Sequence, residues 1–237
     1  QDRFRRRSPA VWTLSGARNA VLLGDVIFAS AIETMSAMGS EDGRLVSRAI
    51  AGISSGALLE QIRRRGSVEG INFGDSAAGL YERIISLKTG LLFGTACELG
   101  AVSAAAGEEA RRRWFRYGSL LGEAYQIADD THDIRKILSG GTAAPEAIAP
   151  LVPALLRFGE EMRPLIPSLL LEGIRGADGR LYGLLQPAVL RMEQEIERRL
   201  QSASAEVPAF TRRPFGALAR RAPGDIIEMF TRAEGES

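Results

Sequence analysis

Asp129, Asp130 and Asp133 fall within the run Asp129-Asp130-Thr131-His132-Asp133, near the end of a long helical pattern. On an α-helix, positions 129 and 133 stack one turn apart and 130 lies a turn from 133 on the flanking row, so the three carboxylates are expected to converge. Like charges at such spacings repel by roughly 0.2–0.5 kcal/mol per pair even in water. A hard divalent cation removes that repulsion, and Mg²⁺ is typically held by one or two carboxylates together with substrate phosphates. The chemistry expected is therefore a Mg²⁺-bridged phosphate substrate. The competing reading is an acidic helix face washed by solvent. Against it stands the flank Tyr117 to Ala128, small and apolar up to the carboxylates, because unpaired charge on a buried helix is costly.

Several other residues invite a functional and a plain structural reading side by side. Lys88-Thr89 sits mid-helix between Leu87 and Leu91, where an ammonium either reaches a cavity and a phosphate or snorkels to water. Gln126, one turn before Asp130, either lines the same site or bridges backbone groups. Arg5-Arg6-Arg7 reads as a basic tail, and Arg111-Arg112-Arg113 as the decoration of a helix face. His132, the sole histidine, offers no metal site by itself, and Cys97 within an apolar helix reads as a packed thiol.

Apolar residues recur at three and four along nearly every extended segment and almost never alternate at two, so the chain is expected to be all-α. A first helix is predicted over Ala17 to Met38, with Val21, Leu22, Val26, Ile27 and Ile32 inward and Gly39 as its stop. A second follows from Glu41, capped by Ser40, to the cations Arg63-Arg64-Arg65, which suit a helix C-terminus. Ser67 to Asp75 reads as a glycine-punctuated loop. Ser76 opens a third helix through Leu99, and Gly107 to Leu138 forms a fourth that carries the aspartates. Pro145, Pro150, Pro153, Pro164 and Pro167 cut the next stretch into short helices. A longer helix returns from Asp178 to about Ser202, with a kink near Pro187, and the tail beyond Pro208 reads as mixed.

The 237 residues suffice for one substantial core, and no linker divides them, so one helical domain over 1–237 is expected. Thirty basic against 29 acidic residues leave no long-range field suited to nucleic acid. The single cysteine excludes an internal disulfide framework and points to a reducing compartment, with the cytoplasm as the expected location. The least polar stretch, Thr89 to Ala106, is broken by Glu98 and glycines and reads as a helix buried in protein, so no membrane span is expected.

Taken together, these blocks resemble the trans-polyprenyl diphosphate synthases, the chain-elongating branch of the helical class I isoprenoid synthases. Arg5-Arg6-Arg7-Ser8-Pro9 is similar to the family's R-R-G-x-P, with Arg7 in place of Gly, and Leu23-Gly24-Asp25 to the G-D that follows it. Gly56 to Gln61 stands where a G-[EQ]-x-x-[DQ] helix end is usual. Tyr81 to Gly90 resembles the block that ends in Lys-Thr, and Glu98-Leu99-Gly100-Ala101 resembles the L-G-A beyond it. Gly122 to Asp133 is similar to G-x-A-[FY]-Q-I-x-D-D-x-x-D, the family's second aspartate-rich motif.

The resemblance implies a helical bundle around a central cavity. Its reaction would be the Mg²⁺-dependent condensation of isopentenyl diphosphate with an allylic diphosphate into a linear polyprenyl diphosphate. It further implies Asp129, Asp130 and Asp133 on Mg²⁺, Arg5 and Arg6 on diphosphates, and Lys88 on the allylic diphosphate. Thr89, Tyr125 and Gln126 would line the reacting centre. Two departures stand out. The family's first aspartate-rich motif would fall just before Gln1, together with the N-terminal helices that carry it, so the chain reads as starting in mid-domain. No Gly-Lys follows Asp133, and Lys136 is the candidate substitute. A homodimer is expected, with a heteromer left open. A non-catalytic helical subunit that pairs with an active synthase, and more remotely a terpene cyclase, are the alternatives.

Overall fold

The computed structural model describes residues 3–5, 8–65, 77–176, 179–207 and 215–235. The expected loop Ser67–Asp75 and Arg6 lie outside them, and Arg5 is described in its backbone alone. The all-α expectation holds; the strands are two-residue pairs. Internal packing divides the chain at residue 51 into two units, 1–51 and 52–237.

In the first unit β1 (Phe4–Arg5) pairs antiparallel with β2 (Ser8–Pro9), and α1 (Val11–Ser15) leads through Gly16, at φ +81°, into α2 (Ala17–Met38). The turn into α3 (Ser40–Arg65) is tight: a Cβ on Gly43 would lie 2.9 Å from the Cα of Ser36. The bounds of α2 match the periodicity, but its expected inward face does not hold. No residue of α2 is buried, and Val21, Leu22, Val26 and Ile27 are exposed. Periodicity reports that a helix has an apolar face; it carries no information about what covers that face. Two stretches among the described residues, Ala17–Met38 and Gly79–Ser103, are long and apolar enough to cross a membrane by length and composition. The first is the more apolar, which corrects the choice of Thr89–Ala106 as the least polar stretch.

The second unit continues from Gly52 in α3. The helix expected from Ser76 to Leu99 is broken into three parts: α4 (Ala77–Ile85), a π turn over Ser86–Gly90, and α5 (Leu91–Ser103). The 33-residue α6 (Glu108–Gly140) ends on Gly141 at φ +67°, whose N–H returns to the Ile137 carbonyl, a left-handed cap that favours glycine. β3 (Thr142–Ala143) pairs with β4 (Ile174–Arg175) and brackets α7 (Pro145–Ile148), α8 (Val152–Phe158) and α9 (Ile166–Glu172), joined by 3₁₀ turns, as the prolines require. α10 (Gly179–Glu206) and α11 (Phe215–Gly235) complete the unit.

α6 packs most extensively on α5 and α10. The main core lies between α4, α6, α8, α9 and α10, with Ile85, Ile127, Ile134, Met162 and Met192 fully enclosed. Against α5 the contact is of another kind. A Cβ on Gly118 would stand 2.3 Å from the Phe93 carbonyl oxygen, and one on Gly122 would stand 2.8 Å from that of Thr89. From the α5 side, a Cβ on Gly94 would meet the Phe115 carbonyl oxygen at 2.9 Å. Gly118 and Gly122 of α6 and Gly94 of α5 thus bring backbone against backbone.

The tail expected to be mixed is instead α11, helical in spite of Pro223 in its interior. A proline leaves the carbonyl four residues back without its helical donor. That carbonyl, Ala219, accepts the Tyr117 hydroxyl at 2.7 Å, and the next, Arg220, accepts the Ser204 hydroxyl at 2.8 Å.

Gly118→Ala is expected to lower stability by about 1–3 kcal/mol, since the methyl must displace backbone. Gly100→Ala, where nothing lies within 4 Å, is expected to be neutral or to stabilise by up to about 1 kcal/mol. Urea unfolding midpoints of the two variants check the contrast.

Candidate functional site

The close approach of α5 and α6 determines what the side chains next to it can reach. Thr89, in the π turn, donates its hydroxyl to the Gln126 amide oxygen at 2.7 Å. The Gln126 amide nitrogen then donates to Asp130 Oδ1 at 3.1 Å and lies 3.4 Å from Asp129 Oδ2. Asp130 Oδ2 accepts the hydroxyl of Tyr81, from α4, at 2.7 Å. A continuous hydrogen-bonded chain therefore runs from the Lys-Thr pair to the acidic turn. The Tyr81 ring is held from behind, edge-on to Phe158 with centroids 5.6 Å apart. Tyr125 meets Phe93 at 5.7 Å in a tilted aromatic pair on the neighbouring face.

Lys88 lies on the same π turn, and its ammonium pairs with Glu60 of α3 at 3.0 Å, only partly exposed. Gly56 makes this possible: a Cβ there would fall 2.8 Å from that of Leu87, so α3 comes close enough for Glu60, one turn on, to reach the lysine. π turns are a poorer hydrogen-bonded geometry than the α-helix and recur at functional positions. This one sets Lys88 and Thr89 on a stretch that touches both α3 and α6.

The three aspartates differ from one another. The expected convergence of Asp129, Asp130 and Asp133 does not occur; among the described residues no three acidic, histidine or cysteine side chains group into a ready metal cluster. Asp133 is half-exposed and pairs with Lys136 at 3.6 Å, whereas Asp130 is drawn inward by Tyr81 and Gln126. Helical spacing aligns Cβ atoms only, and each carboxylate turns to its own partners, Tyr81 of α4 and Gln126 for Asp130 and the neighbouring Lys136 for Asp133. Desolvation pushes the Asp130 carboxyl up from 3.8 to about 7, opposed by the hydrogen bonds from Tyr81 and Gln126 and reinforced by the charge of Asp129. Burial likewise holds the Tyr81 phenol well above its ordinary range, so it remains a donor.

The donor set suits Mg²⁺ bridged to a phosphate. Asp129 and Asp130 supply hard oxygen ligands side by side, and a desolvated carboxylate gains from a cation that completes its neutralisation. Of the residues singled out in the sequence, Lys88, Thr89, Gln126, Asp129 and Asp130 are brought together, Tyr125 borders them, and Asp133 stands apart. Sequence reasoning missed Tyr81 and Glu60 as site residues. Each reaches the site from a separate helix, and the phenol-to-carboxylate pairing spans 49 residues.

Residues 1–137 match the family model described as polyprenyl synthetase. The chain is similar to the nonaprenyl diphosphate synthase of Mycobacterium tuberculosis, 32 % identical over 134 residues, which cover 56 % of this chain and 38 % of that protein. The match therefore spans well under half of the relative's length. The fold matches a decaprenyl diphosphate synthase from Rhodobacter capsulatus with a TM-score of 0.73 and 21 % identity, over 96 % of this chain and 72 % of that one. It also matches a polyprenyl synthase from Caulobacter crescentus, described as complexed with calcium and isoprenyl diphosphate, with a TM-score of 0.70, 22 % identity, and coverage of 95 % and 70 %.

A carboxyl raised in the folded state favours the fold while it is protonated, so the Asp130 contribution to stability declines as pH rises from the ordinary carboxylate range through about 7. Asp130→Asn is expected to flatten that decline in denaturation curves followed across pH.

Proposed function

Because this chain belongs to the polyprenyl synthetase family, we propose that it forms part of a prenyltransferase that condenses isopentenyl diphosphate with an allylic diphosphate into a linear polyprenyl diphosphate. The observation that carries this reading is the chain Thr89–Gln126–Asp130–Tyr81, which unites a lysine-bearing turn and an acidic turn in one site. A phosphate-binding cation and a cation-binding carboxylate belong together when the substrate is a diphosphate that must leave.

In this reading the Lys88 ammonium exchanges Glu60 for an oxygen of the allylic diphosphate. Tyr81 and Gln126 fix the Asp130 carboxylate, and their two donors leave lone pairs on both oxygens for a ligand. When bound, Mg²⁺ would neutralise the charge that develops on departing pyrophosphate. The Gln126 amide, held at one end by Thr89 and at the other by Asp130, presents a fixed dipole at the reacting centre rather than one that must reorient. Phe93 and Tyr125 form apolar wall that keeps water from quenching the allylic cation. The double bond of isopentenyl diphosphate attacks that cation, and a proton leaves to pyrophosphate. The Caulobacter crescentus neighbour, described with calcium and isoprenyl diphosphate, supports a divalent cation and a diphosphate on this fold.

The test supplies Mg²⁺, isopentenyl diphosphate and an allylic primer to the full-length protein. Chain growth is expected, with Asp130→Ala lowering kcat by at least about 100-fold, the scale on which removal of one preorganised electrostatic group acts. Absence of growth, or growth indifferent to Asp130→Ala, rejects the proposal.

A further inference from the structure

Arg199 of α10 is 4 % exposed, outside the chain of hydrogen bonds just described, and surrounded by carboxylates. Its guanidinium donates to Glu123 of α6 and Glu82 of α4, and its Nε to Glu195 of its own helix at 2.8 Å. Glu82 also takes Arg157, and Glu195 also takes Arg198, so charges of both signs alternate through the cluster. A guanidinium is suited to this task because its planar fork serves three acceptors at fixed angles.

Glu123 extends beyond the cluster. The hydroxyl of Ser86, the first residue of the π turn, lies near enough to favour the ionised form of Glu123. A Cβ on Gly90, the last residue of the turn, would lie 3.0 Å from Glu123 Cγ and 3.3 Å from its Oε1. One side chain therefore touches both ends of the turn whose middle carries Lys88 and Thr89. Burial raises the Glu123 carboxyl, and the Arg199 guanidinium opposes that.

We infer that Arg199 is a positioning residue: acting through Glu123, it clasps the π turn and so sets Lys88 and Thr89 against the acidic turn. The inference rests on the proposed reaction for its consequence, since Lys88 serves the allylic diphosphate there. It does not rest on it for the clasp itself, which is a property of the apo fold.

The test compares the full-length protein with Arg199→Met and with Ser86→Ala. The serine is exposed, so its replacement takes a hydroxyl away from Glu123 without opening the core. Hydrogen exchange is read on peptides covering Ser86–Gly90, with α8 and α9 as internal reference. Arg199→Met is expected to speed exchange in the turn by at least about tenfold while the reference peptides stay within about twofold, the signature of local rather than global opening. In prenyl transfer, the KM for the allylic primer is expected to rise at least about fivefold and that for isopentenyl diphosphate to stay within about twofold. Ser86→Ala reproduces the same asymmetry in smaller measure, and it decides the matter if Arg199→Met does not fold. Exchange rising uniformly, an unchanged turn in both variants, or the two KM values moving together overturns the inference. A wild-type protein without prenyl transfer rejects the proposed function instead, and the exchange contrast then still decides whether the clasp exists.

Discussion

The Phe93 carbonyl stands where a side chain on Gly118 would begin, and the bond from Thr89 to Gln126 that ties the π turn to the acidic turn presumes that nearness. Ordinary helix pairs keep their axes 8–10 Å apart because side chains intervene. With Gly94, Gly118 and Gly122 as spacers, α5 and α6 meet through backbone atoms, and a short hydroxyl such as that of Thr89 reaches an amide on the facing helix. The cost is a seam with few interdigitating side chains. The enclosed core on the other face of α6, where Ile127 and Ile134 lie, supplies the apolar burial that the seam forgoes.

Electrostatically, the site is a carboxylate held in a place that disfavours charge. Two neutral donors, a phenol and an amide, ease the Asp130 carboxyl without cancelling its charge. A lysine at that position would form an internal salt bridge and leave little affinity for an incoming cation. Lys88 is instead paired with Glu60 of α3. The buried carboxylate and the lysine are thereby kept on separate elements, each with a partner of its own.

Much of the fold was legible from periodicity, because α2, α3, α6 and α10 are long enough for repeats of three and four to accumulate and carry recognisable ends. The membership of Lys88, Thr89, Gln126 and Asp130 in one site followed from motif order. What escaped was whatever the surroundings decide and the local repeat does not: the phenol of Tyr81, 49 residues from its acceptor, the pairing of Asp133 with Lys136, and the exposure of Val21 and Val26. The helix α11 escaped for a related reason. Pro223 argues against a helix unless Tyr117 stands ready to take the freed carbonyl, and nothing local to residue 223 announces it. The π turn left only a faint local trace, a glycine directly after Lys88-Thr89.

That turn also has a bearing on heredity. A π turn holds one residue more than the α-helical winding around it, and each residue advances a helix by about 100°. The stripe of Tyr81, Ile84 and Ile85 on α4 is therefore out of phase with the stripe on α5 by roughly that rotation. Excising a single codon between Ser86 and Gly90 would relax the segment into one smooth α-helix, apparently an improvement in local geometry. Because the turn winds its extra residue into nearly the angle that the α-helix sweeps with one fewer, α5 would keep its facing and Gly94 its place on the seam. What the excision removes is local, the widened turn that sets Lys88 and Thr89 toward α3 and α6, so the extra residue belongs to the site and not to the packing of the helix behind it.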